Sequence, residues 1–245
     1  TGLLDSGSAS NNGTNSGANE YSGFVNALAG ESSNMTSANL VQSDLQQTLG
    51  YSPYSIELNG TDQFFTVDNQ SLELYSDYIT VSLWYKAGST AVNGAGLYGT
   101  PAGSAPNFHP FLFQIGVIGT DIFPKVTMMT ANGQFQFDPS NTNVKINKNQ
   151  WNHLAAIYDG STITVYVNGN SQSTAVTGSP SRLIYYTIQS ANKGLMFIAN
   201  RRLWNGSNME QPGVYSNVAV WSTALSAAQI ATIYNNGLPN DISSL

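Results

Sequence analysis

The chain has 245 residues, 41% of them hydrophobic and 11% aromatic, but only 9% charged, with a net charge of −6 and no cysteine. Disulfides, thiol nucleophiles and zinc–thiolate centres are thereby excluded, and stability has to come from burial alone. No Lys or Arg precedes Lys86, so the first third is purely acidic, and no basic run follows that would attract a phosphate backbone; nucleic-acid binding is excluded on that ground.

Residues 1–50 read as a polar N-terminal extension. TGLLDSGSASNNGTNSGANE offers almost nothing to bury. Leu40, Val41, Leu45 and Leu49 follow in a spacing that fits either a short helix or an extended docking segment. Residues 51–245 read as the folded domain. The extension starts at Thr1 without an apolar leader, which fits either removal of an initiator Met, the favoured expectation and one that implies synthesis without export, or loss of a leader. No apolar run reaches the roughly 20 residues needed to span a bilayer as a helix.

From Tyr54 onward the hydrophobic period is two. In ITVSLWYK, Ile79, Val81, Leu83 and Tyr85 alternate with Thr80, Ser82, Trp84 and Lys86, the mark of a strand with one face in a core. Further strands are predicted at 54–59, 63–67, 110–118, 124–130, 133–137, 151–158, 161–168, 183–188, 195–199 and 214–221. Asp159-Gly160 and Asn132-Gly133 read as hairpin turns. One helix is expected near the end, in ALSAAQIATIYNNG. Ser226 and Gln229 form its capping box, Leu225 staples to Ile230, Ile230, Ile233 and Tyr234 make its apolar face, and Gly237 ends it. The fold class is therefore all-β, a two-sheet antiparallel sandwich with one short C-terminal helix packed on it.

Three segments, taken in order, resemble the laminin-G-like jelly rolls of the concanavalin A-like superfamily. They are YSIELNGTDQFFTV with ITVSLWYK, WNHLAAIYDGSTITVYVNG, and VYSNVAVWSTALSAAQIATIYNNG, which together bracket residues 54–237. The resemblance implies a jelly roll in which His153 is structural. Some members bind calcium, for which Asp62, Asp68 and Asp121 are the weak candidates here. Ser216 and Asn217 stand where the family usually has acids, and Gln63 stands beside Asp62, so the expectation is no bound metal, with calcium the possible cofactor.

Catalysis finds little support. Glycoside hydrolysis needs two carboxylates flanking one bond, and no two acids lie closer in sequence than four residues; only Glu73 and Asp77 reach that spacing, in a stretch that reads as a loop. There is no G-x-S-x-G elbow and no phosphate loop, and His109 and His153 read as structural. Binding needs only aromatics and amides. The candidate ligand-binding residues are Tyr98, Phe108, Tyr185, Tyr186 and Trp204 from predicted loops, with the adjacent pair Arg201 and Arg202. The chain is accordingly expected to be non-catalytic. One reading is a surface decoration or fibre component of a phage or virus particle, homo-oligomeric or held on the particle through protein neighbours. The alternative is an extracellular carbohydrate-binding or adhesion lectin, and a glycan-cleaving enzyme trails both.

Overall fold

The computed structural model describes residues 37–46, 54–68, 77–100, 109–130, 133–138, 144–176, 195–202 and 208–240. The period-two segments become strands. In chain order these are β1 (Leu40–Gln42), β2 (Tyr54–Leu58), β3 (Phe65–Asp68), β4 (Ile79–Lys86), β5 (Gly96–Gly99), β6 (Phe111–Ile118), β7 (Asp121–Thr130) and β8 (Gly133–Phe137). They continue with β9 (Trp151–Tyr158), β10 (Thr162–Val167), β11 (Asn170–Ala175), β12 (Leu195–Ile198), β13 (Asn200–Arg202), β14 (Asn208–Glu210) and β15 (Gly213–Trp221). The predicted strand at 183–188 lies outside the described residues.

The first sheet runs β1-β2-β15-β4-β9-β10-β11, and the second runs β13-β14-β5-β6-β7-β8, with β12 joining β5 and β3 joining β12. Neighbours are antiparallel apart from one parallel bridge between Glu210 and Gly96. Between the sheets lie Ile79, Val81, Leu83 and Tyr85 of β4, Leu154, Ala156 and Tyr158 of β9, and Phe111, Phe113, Ile115, Val126 and Met128 of β6 and β7. Each of the larger aliphatic and Phe side chains contributes about 1.5–3 kcal/mol by leaving water, which is how a chain without cross-links holds together.

Sequence reasoning missed β5, β11, β13 and β14. The segment NSQSTA of β11 has no apolar residue to alternate except its last, and it is held as an edge by the Asn168-Gly169 turn. Both turn residues have positive φ, 51° and 80°, the requirement of a two-residue hairpin of this twist.

The end of the predicted extension is part of the first sheet. Residues 37–39 form a 3₁₀ turn and β1 pairs with β2, Leu40 opposite Ile56, so the docking segment is extended and not helical. Asn39 donates to the Glu57 carbonyl at 2.6 Å, and both Lys86 Nζ and Trp151 Nε1 donate to the Asp44 carboxylate, at 2.6 and 2.7 Å.

Helix α1 (Ala227–Tyr234) covers the outer face of the first sheet. Its capping box is reciprocal: Gln229 N–H donates to Ser226 Oγ and Ser226 N–H donates to Gln229 Oε1. Ile230 and Ile233 pack with Leu225 onto Ala155, Ile157 and Tyr166. The predicted stop at Gly237 comes two residues late. Asn235 already takes the left-handed conformation (φ 42°), followed by Asn236 (φ 53°), because Asn tolerates that region; Gly237 (φ 95°) ends the 3₁₀ turn beyond. No helix among the described residues is long and apolar enough to cross a membrane.

Candidate functional site

The second sheet carries the partly exposed Arg201 on β13, beside outward positions that are themselves covered: Leu112, Gln114, Phe123 and Thr127 are each no more than 5% exposed. Phe111, Phe113 and Ile115 of β6 point into the core, so Leu112, Gln114 and Gly116 point outward; across β7 their neighbours are Thr127, Lys125 and Phe123. Gln114 is the one amide in FLFQIGVI, and it is 2% exposed despite facing outward. Its Nε2 donates to Thr127 Oγ1 at 2.6 Å, while its Oε1 has no hydrogen-bond partner. An orphan of this kind costs about 1–3 kcal/mol, so it marks a place where something other than core packing is being served.

Arg201 arrives over this spot because of a glycine. Gly96 of β5 lies opposite Gln114, and a Cβ there would meet the Asn200 carbonyl and the Arg201 amide nitrogen well inside contact distance. Only the bare α-carbon lets β13 lie so close. A methyl-sized point above Gly94 is then within 4 Å of Arg201 Nη1, Met209 Cε and Gln114 Oε1 together.

His109 fixes the base of the arginine. It is fully buried; its Nδ1 donates to the Thr100 carbonyl at 2.7 Å, which leaves Nε2 as the acceptor for Arg201 Nε at 3.4 Å. Burial holds the imidazole down to about 4, against its bond to Thr100 and with help from the charge on Arg201. Burial also lowers the Arg201 pKa, yet a guanidinium stays charged. The ion pairs among the described residues use Lys86, Lys125 and Lys145, and none uses Arg201. The site is therefore half-buried, cationic and bordered by an unsatisfied amide.

Of the sequence candidates, Arg201 is here. Tyr98 is not: a register shift between Gly96 and Tyr98 turns Leu97 and Tyr98 both inward, and Tyr98 is fully buried against Phe111. Its strand, GLYG, reads as a loop by its glycines, which is why the sequence placed it at the surface. Arg202 lies on β13, but its side chain, with Phe108, Tyr185, Tyr186 and Trp204, is outside the described residues. Gln114, Gly96 and the role of His109 went unread; the lone amide in an apolar strand was the available signal.

The weak calcium candidates do not converge. Asp121 pairs with Lys145, Asp62 Oδ1 accepts from Asn59 Nδ2, and the Asp68 side chain is outside the described residues. Among those described, no three His, Asp or Glu residues gather to hold a metal. Other acids have structural duties: Asp44 pairs with Lys86, Asp138 with Lys125, and Asp159 accepts the Ser161 and Thr162 amides at the hairpin it was predicted to make. Ser82 Oγ and His153 Nε2 are 2.8 Å apart, but both residues are buried, His153 under Tyr234, and among the described residues His153 Nδ1 has no partner to orient it. A nucleophilic pair needs an orienting group and access to substrate, and this one has neither.

The family model described as the concanavalin A-like lectin/glucanases superfamily matches residues 59–231. No curated protein sequence matches the chain. Among solved structures, the sialidase module CBM40 of Ruminococcus gnavus, bound to α2,3-sialyllactose, aligns with TM-score 0.56 at 14% identity, over 74% of this chain and 96% of that one. Domain 4 of the extracellular arabinanase AbnA of Geobacillus stearothermophilus, in complex with arabinotriose, aligns with TM-score 0.51 at 18% identity, over 78% of each chain. NanB sialidase of Streptococcus pneumoniae aligns with TM-score 0.51 at 20% identity, over 73% of this chain and 27% of that one. At these identities the likeness is one of fold, and with the family match spanning most of the sequence, this chain belongs to the concanavalin A-like lectin/glucanases superfamily as a laminin-G-like jelly roll.

Proposed function

We propose that the chain is a non-catalytic carbohydrate-binding domain in which Arg201, on β13 of the second sheet, contacts the ligand. One observation carries this reading: Arg201 is partly exposed, its Nε is seated on the buried His109, and no carboxylate among the described residues pairs with its guanidinium. Sugars supply the hydroxyls such groups take up. The reading is supported by the fold, which the chain shares with modules solved in complex with sialyllactose and arabinotriose. No metal is assigned to the site, so binding is expected to persist in EDTA. The test is a glycan array probed with the intact chain, with and without chelator, and a chromatographic search for cleaved product. Retention without cleavage is the expected result, and a blank array or a released product overturns the reading.

The setting we propose, on a phage or virus particle, or otherwise extracellular, rests on the sequence alone. The acidic first third and basic remainder favour head-to-tail contacts between copies. That attraction has a competitor inside one chain, because Asp44 of the acidic third already pairs with Lys86, the first base of the remainder. Copurification with an assembled particle is the deciding observation for this setting.

A further inference from the structure

We infer that two copies of this chain join edge to edge through β11, across a two-fold axis at Ser173, so that the first sheet runs unbroken from one copy into the other. The inference does not depend on the glycan-binding reading. It begins with the hydrogen-bond phase of the β10–β11 hairpin. Val176 N–H donates to the Ser161 carbonyl at 2.7 Å, and the pairing then runs in step from Thr162 opposite Ala175 to Val167 opposite Asn170. In an antiparallel ladder, residues bonded to the neighbouring strand alternate with residues whose N–H and C=O point the other way. Asn170, Gln172 and Thr174 therefore spend their backbone groups on β10, and Ser171, Ser173 and Ala175 turn theirs outward. All three are exposed, and their outward backbone groups have no partner among the described residues.

Nothing on this edge wards off another strand. TITVYV of β10, the Asn168-Gly169 turn and NSQSTA of β11 contain no charged residue and no proline, and β11 pairs along its length without a bulge. Sheet edges are ordinarily kept apart by those devices. The other ends of the two sheets have them or are shorter: β13 carries Arg201 and Arg202, β8 is followed by the Lys125–Asp138 pair, and β1 has three residues. The side chains of β11 are out of the way as well. Ser173 Oγ lies 2.9 Å from Thr164 Oγ1, and Ser171 bonds to the Tyr166 hydroxyl, so both lean back over β10.

The edge is complementary to itself. Centred on Ser173, an antiparallel partner sets Ser173 opposite Ser173 of the second copy and Ser171 opposite Ala175 of the second copy, and each of these pairs exchanges both N–H···O bonds. The occupant is a second copy because its edge meets this condition in both directions at once, and because the net charge of −6 that each copy carries lies away from the seam. The six residues of β11 span about 20 Å, so the seam covers far less than the roughly 1,200–2,000 Å² of a stable complex, and the dimer is a reversible one formed at high concentration. Its axis stands perpendicular to the joined sheet, which leaves both second sheets on the same side. Where Arg201 contacts a glycan, two copies then grip one surface together.

The test is sedimentation velocity of the intact chain from micromolar to millimolar concentration, with amide hydrogen exchange at both ends of that range, repeated for S173A, S173P, S173K and S173D. The expected result is a dimer fraction that grows with concentration, with new protection at Ser171, Ser173 and Ala175 and none at Leu40–Gln42 or Gly133–Phe137. S173A is expected to dimerise as the parent does. S173P loses only an outward N–H, which an edge strand tolerates, and is expected to melt close to the parent while associating roughly tenfold or more weakly. S173K and S173D each set like charges opposite one another across the axis and are expected to stay monomeric alone, whereas their equimolar mixture associates. A monomer at every concentration overturns the inference, as does a dimer that survives S173P and S173K or gains its protection at another edge. A mixture of S173K and S173D that stays monomeric overturns the pairing at Ser173. Glycan binding is decided separately, by the array.

Discussion

Arg201 Nε lies 3.4 Å from Nε2 of His109, and the histidine is fully buried while the arginine is partly exposed. A buried neutral ring thus serves as the seat of a surface cation. The pairing explains why a chain with two histidines spends one of them on a site with no catalytic geometry. Replacement of His109 by Phe, similar in size but without nitrogen, is expected to leave the Thr100 carbonyl and Arg201 Nε unpaired. We predict a loss of about 2 kcal/mol in urea unfolding, together with weaker glycan binding at unchanged stoichiometry.

Both histidines make the fold acid-sensitive. Burial lowers His109 and His153 each to about 4 from an ordinary value near 6.5. The unfolded chain therefore takes up protons below pH 6.5 that the native chain refuses until about pH 4. Stability is complete above pH 6.5 and declines as pH falls toward 4, by up to about 3 kcal/mol for each ring. Thermal melts at pH 7, 5.5 and 4.5 are expected to show falling midpoints. A double replacement of His109 and His153 by Gln is expected to flatten that slope, and a slope unchanged in the double variant contradicts the assignment.

Gly96→Ala is expected to be among the most damaging one-carbon changes in the second sheet. The methyl would collide with backbone atoms of Asn200 and Arg201, which cannot rotate away as a side chain could. A cost of about 3 kcal/mol is expected from overpacking. Because β13 must shift, glycan binding should fall further than stability alone accounts for, measured under conditions where the variant is folded. Gly116→Ala, on β6, whose Cβ would meet nothing closer than 3.7 Å, serves as the tolerated control.

Asp44→Asn separates local docking from global stability. The carboxylate is largely exposed, and its pKa is lowered by the bonds from Lys86 and Trp151, so the pair is worth under about 1 kcal/mol overall. Hydrogen exchange, by contrast, is expected to lose protection at Leu40–Gln42 while β4 and β9 keep theirs. Unchanged protection at β1 would mean that Asn39 and the Ser43–Ser55 contact hold the strand unaided.

Removal of the helix cap by Ser226→Ala is expected to cost about 1 kcal/mol, since both halves of the capping box disappear. Ser226→Asp should retain most of it.

The legible part of the fold follows from alternation. In ITVSLWYK and WNHLAAIY each apolar position had a fixed partner face, and β4 and β9 pair in register along their full length. What escaped was decided by contacts distant in sequence. GLYG is a strand because Gly96 and Gly99 admit β13 and Leu112 at close range, a reason invisible in four residues. The closing strand was recognised through VYSNVAVW, but not the shift in its pairing between Ser216 and Ala219, where Asn217 turns to a φ of 48°. The site was half-legible: Arg201 stood out as one of two adjacent arginines, whereas Gln114 and His109 acquire meaning only when β13 and β6 are brought side by side.

The chain enters its sandwich through the rim of the first sheet, where β1 is the outermost strand, and the Arg201 surface belongs to the other sheet. If the residues ahead of Ser37 serve as a tether, the molecule hangs by one slab and carries Arg201 on the other. Attachment and recognition would then act on separate layers of the same small body, so that neither need occlude the other.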